Sequence, residues 1–285
     1  MTEPLLIGPV DAPALHVMTF NVRRPVAQMS SRSPDRWETR RPAVGALVSS
    51  ERPSILGVQE AMPEQAAFLR RALGGSYHSI GRGRKADGTG EGCPILFDAE
   101  RLELEGWTQQ SLSDDPDTPG STGWGNFVPR ILVAAIFRDR ETAGSLLALN
   151  THFDHLSRRS RVRSAERVRS LVGGQSLPAI VMGDLNTGEG SAPIRTLLDS
   201  PAGADGPVLA DAWSLARERL TPEWGTFPNY REPRYDRKRI DWIATSPGIA
   251  VERAGINTRR PAGVWPSDHL PVQVVLRVPA PRTDP

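Results

Sequence analysis

Asp184 and Asn186 stand two residues apart where the apolar run Ala179-Ile180-Val181-Met182 ends, in AIVMGDLNT. An acid and an amide in that position can close an Asx-type turn on their own backbone. They can also face a ligand from the end of a buried strand. The same juxtaposition recurs at Asn21 after VMTF, Gln59-Glu60 after ILGV, Asn150 and His152 in LALNTH, Asp241 in RIDWI, and Asp268-His269 before LPVQVV. Any one of these residues reads as a cap or as a satisfied buried polar group. As a set they read differently, because strands of one sheet deliver their ends to a common edge. The expected result is one acidic cleft with two histidines, a setting for a hard cation and a phosphate group.

The elements that must position these residues are short apolar runs between turn signals. Strands are expected at 15–21, 54–60, 93–98, 130–137, 145–153, 178–184, 239–245 and 270–278, from their content of β-branched and apolar residues. Helices fit at 36–49, 63–73, 159–172 and 192–199, the second opened by Pro63 in a first-turn position. Near-continuous apolar strands alternating with helices imply an α/β chain whose sheets are covered on both faces. The Gly-, Pro-, Asp- and Arg-rich stretches at 82–92, 111–126 and 221–238 read as surface rims, the first of them flexible. With no repeat and no composition shift, one domain is expected over 14–279, flanked by flexible termini at 1–13 and 280–285.

The 285 residues suffice to bury a sizeable core, and 38% hydrophobic with 24% charged residues is an ordinary globular mixture. MTEPLLIGPVDAP lacks a basic segment leading into an apolar one, and no apolar run approaches a membrane span. A soluble, cytoplasmic, monomeric protein is the expectation. The single Cys93 excludes an internal disulfide framework and any multi-cysteine zinc site. Lysine occurs only at Lys85 and Lys238, so the excess of arginine behind the net charge of +2 says little about ligands. The arginines of SRRSRVRSAERVRS fit a solvated helix face, with Val162, Ala165 and Val168 turned inward.

TFNVR, GVQE, NTHFDH, GDLN, RIDWI and SDHLPV occur in this order over residues 15 to 278. In that combination the chain resembles the endonuclease/exonuclease/phosphatase superfamily, metal-dependent phosphohydrolases with the pancreatic-deoxyribonuclease fold. The resemblance implies a four-layer α/β sandwich, two facing mixed β-sheets flanked by helices, with the active site at one edge. It implies Glu60 as the principal ligand of Mg²⁺ (or Mn²⁺), with Asn21 and Asp268 completing or bordering the shell. Asp184 would orient or deprotonate the attacking water, and Asn186 would point its amide at a phosphate oxygen. His152 and His269 would contact non-bridging oxygens, with Asp241 paired to His269 and with Asp154 and His155 supporting His152.

On substrate, the sequence reading favours a nuclease-like phosphodiesterase. Arg130 and Asn150 are candidate substrate contacts, as are Arg234 and Arg237 in YREPRYDRKR. Together with Arg82, Arg84, Arg231, Arg239 and the aromatics Trp124, Tyr230 and Tyr235, they would let single-stranded nucleic acid bind. The alternatives are a phosphatase or phospholipase C-like enzyme on a small phosphorylated substrate and, in another class, a catalytically idle binding module.

Overall fold

Alternation along the first strand already separates two cores. Every residue of Ala14–Asn21 is buried. Leu15 and Val17 face one hydrophobic cluster, whereas Met18 and Phe20 belong to another. A strand apolar on both faces must lie between two covering layers, and the computed structural model, which describes residues 4–26, 30, 33–199 and 208–279, contains those layers.

In chain order the first half comprises β1 (Ala14–Asn21), α1 (Trp37–Glu51), β2 (Ile55–Gln59), α2 (Pro63–Leu73), β3 (Tyr77–Ile80), β4 (Ile95–Asp98), β5 (Leu102–Ser111), β6 (Ile131–Asp139) and β7 (Ser145–His152). The second comprises α3 (Arg158–Gly173), β8 (Ala179–Asp184), α4 (Ala192–Leu198), β9 (Ala210–Asp211), α5 (Ala212–Leu215), β10 (Glu218–Arg219), β11 (Asp241–Thr245), β12 (Ala250–Ile256) and β13 (Val272–Arg277). They form a seven-stranded sheet, β10-β12-β13-β1-β2-β4-β3, and a six-stranded sheet, β5-β6-β7-β8-β11-β9. Both are mixed: β1 pairs parallel with β2 and antiparallel with β13, and β8 pairs parallel with β7 and antiparallel with β11.

The core between the sheets contains Val17, Ile55, Val133, Ala148, Met182 and Ile243. Val44, Leu47 and Leu69 of α1 and α2 cover the outer face of the first sheet, and Val168, Val172 and Ile194 of α3 and α4 cover that of the second. This is the expected four-layer α/β sandwich. Each strand anticipated from sequence is present within a few residues, as are the four anticipated helices. β3, β5, β12 and the two-residue β9 and β10 were not anticipated. In β5, Leu102-Glu103-Leu104 alternates as an edge strand should, but a bulge between Leu104 and Gly106 breaks the period.

The amino-terminal segment departs from the expectation of loose chain. The N–H groups of Leu6, Ile7 and Gly8 all donate to the carboxylate of Glu51, which is buried at the end of α1. Three consecutive donors on one buried carboxylate tie this segment to the domain. Residues 1–3 and 280–285 lie outside the described residues. No described helix is long and apolar enough to cross a membrane.

Candidate active site

Period two places the polar strand ends. Asn21 shares its face with Leu15 and Val17, Gln59 with Ile55, Asn150 and His152 with Ala148, Asp184 with Ile180 and Met182, and Asp241 with Ile243. All of them therefore point between the sheets. Register brings them together: Asn21 lies beside Gln59, and Asp184 has His152 on one side and Asp241 on the other. Gly183 permits the approach, since a Cβ there would lie 2.1 Å from the carbonyl oxygen of Thr151.

Two site residues escape the alternation through left-handed backbone. Glu60 follows Gln59 and would face the α1/α2 layer, but its φ of 59° turns the chain. Asn186 has φ 52°, with its N–H on Asp184 Oδ1 at 2.9 Å and its Nδ2 on the Phe153 carbonyl at 2.9 Å. Non-glycine residues held in this region at a cleft mark positions that the surroundings over-determine.

Asp184 is at the centre of the cluster. Its Oδ2 accepts from Asn21 Nδ2 at 3.0 Å and has His152 Nε2 at 3.5 Å and His269 Nε2 at 3.7 Å. His269 Nδ1 donates to Asp241 Oδ2 at 2.9 Å. Burial disfavours the His269 cation, but the Asp241 and Asp184 carboxylates outweigh it and raise the imidazole to about 10. Burial and the charge of Asp241 raise Asp184 to about 7, against His269. His152 goes the other way: burial, then the charges of Arg130 and His269, hold it well below its ordinary value. One histidine is therefore charged and its neighbour neutral at pH 7.

Glu60 and Asp268 occupy the adjoining wall. Arg23 approaches both, at 3.8 Å from Glu60 and 3.5 Å from Asp268. Burial opposes ionisation of Glu60, yet His269, the Arg24 N–H and Arg23 hold its carboxyl below the usual range. Burial raises Asp268, and the charge of Glu60 adds to that rise, against His269 and Arg23. Two carboxylates of like charge, Asp268 buried and Glu60 partly so, suit a hard divalent cation, which would relieve their repulsion. Asn21 is placed behind them: its Nδ2 donates to Glu60 and Asp184 and its Oδ1 accepts from the Arg23 N–H. The donor atoms of Asp184, Asp241 and His269 also lie within 4.8 Å of one another. An imidazolium hydrogen-bonded to Asp241 has no lone pair for an ion, so only the carboxylates of that trio remain as ligands.

A cleft of about 330 Å³ opens over this cluster. Arg130 lines it, with only 4% of its side chain exposed. Its guanidinium donates to Asp154 at 3.3 Å and lies 2.9 Å from His155 Nδ1. Asp154 and His155, expected to support His152, thus hold Arg130 instead. Asn150 is fully buried, with its amide on backbone carbonyls of Val58, Cys93 and Pro94 and its oxygen on Gln59. It joins the two sheets and does not line the cleft.

The late-loop arginines stay outside as well. Arg234 is 62% exposed and paired with Asp236, and Arg237 does not line the cleft. Arg239 is buried against Asp211 and Glu223 with its guanidinium over Trp242. Tyr230 donates to Asp35, which ties the late loop to the segment before α1, and Tyr235 stacks on Trp224 within the loop.

Sequence reasoning missed part of the cleft. Arg23 and Arg24 line it directly after the Asn21 motif, a signal visible in TFNVRR. The segment 82–92, read as a flexible rim, is a bonded hairpin: Gly83 N–H donates to Gly88 O, Arg84 N–H to Glu91 O and Gly92 N–H to Ala61 O. It carries Arg84 and Glu91, ion-paired with each other, into the cleft. Phe227, 45% exposed with its ring 4.8 Å from that of His269, forms the opposite rim.

The profile of the Endonuclease/Exonuclease/phosphatase family matches residues 18–269. No curated protein sequence matches the chain. Among solved structures, a family protein from Bacteroides thetaiotaomicron is 30% identical, covering 93% of this chain and 98% of its own, with a TM-score of 0.84. A mannosyl-6-phosphatase of the same organism is 31% identical over 92% of this chain and 99% of its own, with a TM-score of 0.81. The sulfate-bound catalytic domain of human Nocturnin shares the fold at 19% identity, covering 94% of this chain and 95% of its own, with a TM-score of 0.69.

Proposed function

As the chain belongs to the endonuclease/exonuclease/phosphatase family of phosphoester hydrolases, we propose that it is a divalent-metal-dependent phosphatase acting on a small phosphorylated sugar, rather than a nuclease. The observation that carries this reading is the distribution of cations. Arg23, Arg24 and Arg130 line one cleft of about 330 Å³, where Arg84 is paired with Glu91, while Arg234 and Arg237 of the late loop lie outside it. A terminal phosphate concentrates its charge in one place, whereas a polyanion needs contacts spread along a groove. The likeness to a mannosyl-6-phosphatase supports the same choice.

In this reading Glu60 and Asp268 hold Mg²⁺ or Mn²⁺, with Asn21 fixing the Glu60 carboxylate. The ion supplies charge neutralisation at the phosphate. Arg130 and His152 bind non-bridging oxygens from the adjoining wall, Arg130 locked by Asp154 and His155. Asn186 adds a donor through its remaining amide N–H. Asp184 would take the proton of a water aimed at phosphorus. His269, its Nδ1 fixed on Asp241, presents Nε2–H to the oxygen on which charge develops.

The test compares mannose 6-phosphate and p-nitrophenyl phosphate with bis-p-nitrophenyl phosphate and a single-stranded oligonucleotide, each with Mg²⁺ or Mn²⁺. Faster turnover of the monoesters is expected. Cleavage of the oligonucleotide with no release of phosphate from the monoesters would return the chain to the nuclease reading.

A further inference from the structure

Beside the catalytic cleft, and sharing Arg84 with it, lies a second cavity of about 380 Å³. Three segments enclose it: the 82–88 arm of the hairpin, the end of β5, and the loop 116–120. The first and the last close tightly, since a Cβ on Gly120 would lie 2.6 Å from the backbone nitrogen of Ala86. Nothing in the proposed hydrolysis uses this cavity.

Its lining is specific in kind. Trp107 forms a partly exposed wall, with the Arg82 guanidinium 5.8 Å from its ring centre. The Gln109 oxygen accepts the Arg82 N–H, and the Gln110 oxygen accepts from Arg167. Both amides keep their N–H donors for another partner. Among the described residues, the Arg82 guanidinium, the Lys85 ammonium and the Asp117 carboxylate make no hydrogen bond or ion pair, although all three line the cavity.

Charge discriminates among ligands. Arg84 is already paired with Glu91, which leaves two cations, Arg82 and Lys85, against two anions, Asp87 and Asp117. A second phosphate would meet as many repulsive groups as attractive ones. A polyhydroxylated group fits both signs, because each hydroxyl donates and accepts, and its C–H face packs on the indole. We propose that this cavity is a glycosyl subsite, binding the sugar unit attached to the one that carries the phosphate. The inference rests on the sugar-phosphatase reading for its kinetics but not for its binding.

Two measurements test it. The first compares kcat/KM for mannose 6-phosphate with that for mannobioses phosphorylated on the terminal residue, in the parent and in Lys85→Ala/Asp117→Ala, both exposed positions. The parent should prefer the disaccharides by about tenfold or more, and the double variant should lose that preference while mannose 6-phosphate turnover stays within about twofold. Equal treatment of both substrates by the parent, or a preference kept by the variant, would overturn the subsite. The second is calorimetry with unphosphorylated mannobioses, maltose and cellobiose. Binding that is insensitive to salt and weakened in the double variant and in Trp107→Ala is expected, and absence of binding would overturn the proposal. Should no sugar phosphate be hydrolysed, the phosphatase reading fails alone, and calorimetry still decides the cavity.

Discussion

Replacing Asn150 by alanine separates a residue that joins two sheets from one that binds substrate. Its Nδ2 donates to Val58 O at 2.8 Å, Pro94 O at 2.9 Å and Cys93 O at 3.1 Å, and its Oδ1 accepts from Gln59 Nε2 at 2.6 Å. Truncation does not strand all four partners. Pro94 O keeps the Val58 N–H, and Gln59 Nε2 keeps Thr19 Oγ1. Weakening one or two buried polar groups at about 1–3 kcal/mol each implies a loss of about 1–6 kcal/mol, set against the roughly 5–15 kcal/mol that holds such a domain. The urea midpoint should fall with an unchanged slope, while kcat/KM of the folded variant stays within about threefold. Asn150→Asp sets a carboxylate against three carbonyl oxygens and should be worse than alanine at pH 7. The oxygens raise its folded pKa above the unfolded value of about 3.9. Its stability is then fullest below that unfolded value and is lost as pH rises through the folded one, so acidification should restore it. A parental urea midpoint for Asn150→Ala together with a raised KM would refute the sheet-joining role.

Asp241→Asn leaves the His269 Nδ1 hydrogen bond available but removes the carboxylate that favours imidazolium, so steady-state kcat should fall by about 10²-fold or more with circular dichroism unchanged. Glu60→Gln keeps the shape of a proposed ligand and removes its charge; calorimetric titration with Mg²⁺ should show weaker binding, and undiminished affinity would remove Glu60 from the site. His16, whose ring lies between Gly8 O and Gln273 Nε2 at 2.9 Å each, is pushed by burial from 6.5 to about 4. Across that window the unfolded chain binds a proton that the native one does not, so stability falls as pH drops, by up to about 3 kcal/mol. His16→Gln should flatten that limb in urea titrations from pH 7 to 4, and an unaltered slope would count against a neutral native His16.

What could be read from sequence was whatever strand chemistry encodes locally. Asp184 and Asp241 were legible because each borders a short apolar run, and period two then gives both the face and the edge. Arg84 and Glu91 were not, because GRGRKADGTGEG has the composition of a solvated loop; only the backbone bonds from Gly83 to Gly88 and from Gly92 to Ala61 make it a hairpin. Asn150 was assigned to the correct edge and the wrong depth. Nothing local distinguishes it from His152, two residues on along the same face, and its burial follows from Gly57, whose missing side chain lets the sheets close to 2.9 Å between an ideal Cβ there and Asn150 Cγ. Arg234 failed differently. It is 62% exposed and does not line the cleft, and a run of arginines in sequence does not show where the loop places each of them.

This division between strands and loops has a consequence for how substrate and reaction are encoded. The Asp184–His269–Asp241 cluster is carried by the ends of β8 and β11 and by the residues just before β13, and Arg40 fixes the neighbouring loops in relation to it. Fully buried, Arg40 donates to the carbonyls of Val22, Arg23, Asp35 and Pro266, so one side chain ties the chain after Asn21 to the chain before Asp268. The proposed chemistry at phosphorus therefore depends on groups whose positions the two sheets and Arg40 determine together. The second cavity depends on the hairpin 82–92, the loop 116–120 and the edge of β5, none of which contributes to that cluster. Loops of this kind tolerate change better than strand ends. Under the proposed subsite, the hairpin and not the strand-end cluster sets which group this chain accepts beside the phosphate, and family members that share the strand ends are free to differ there.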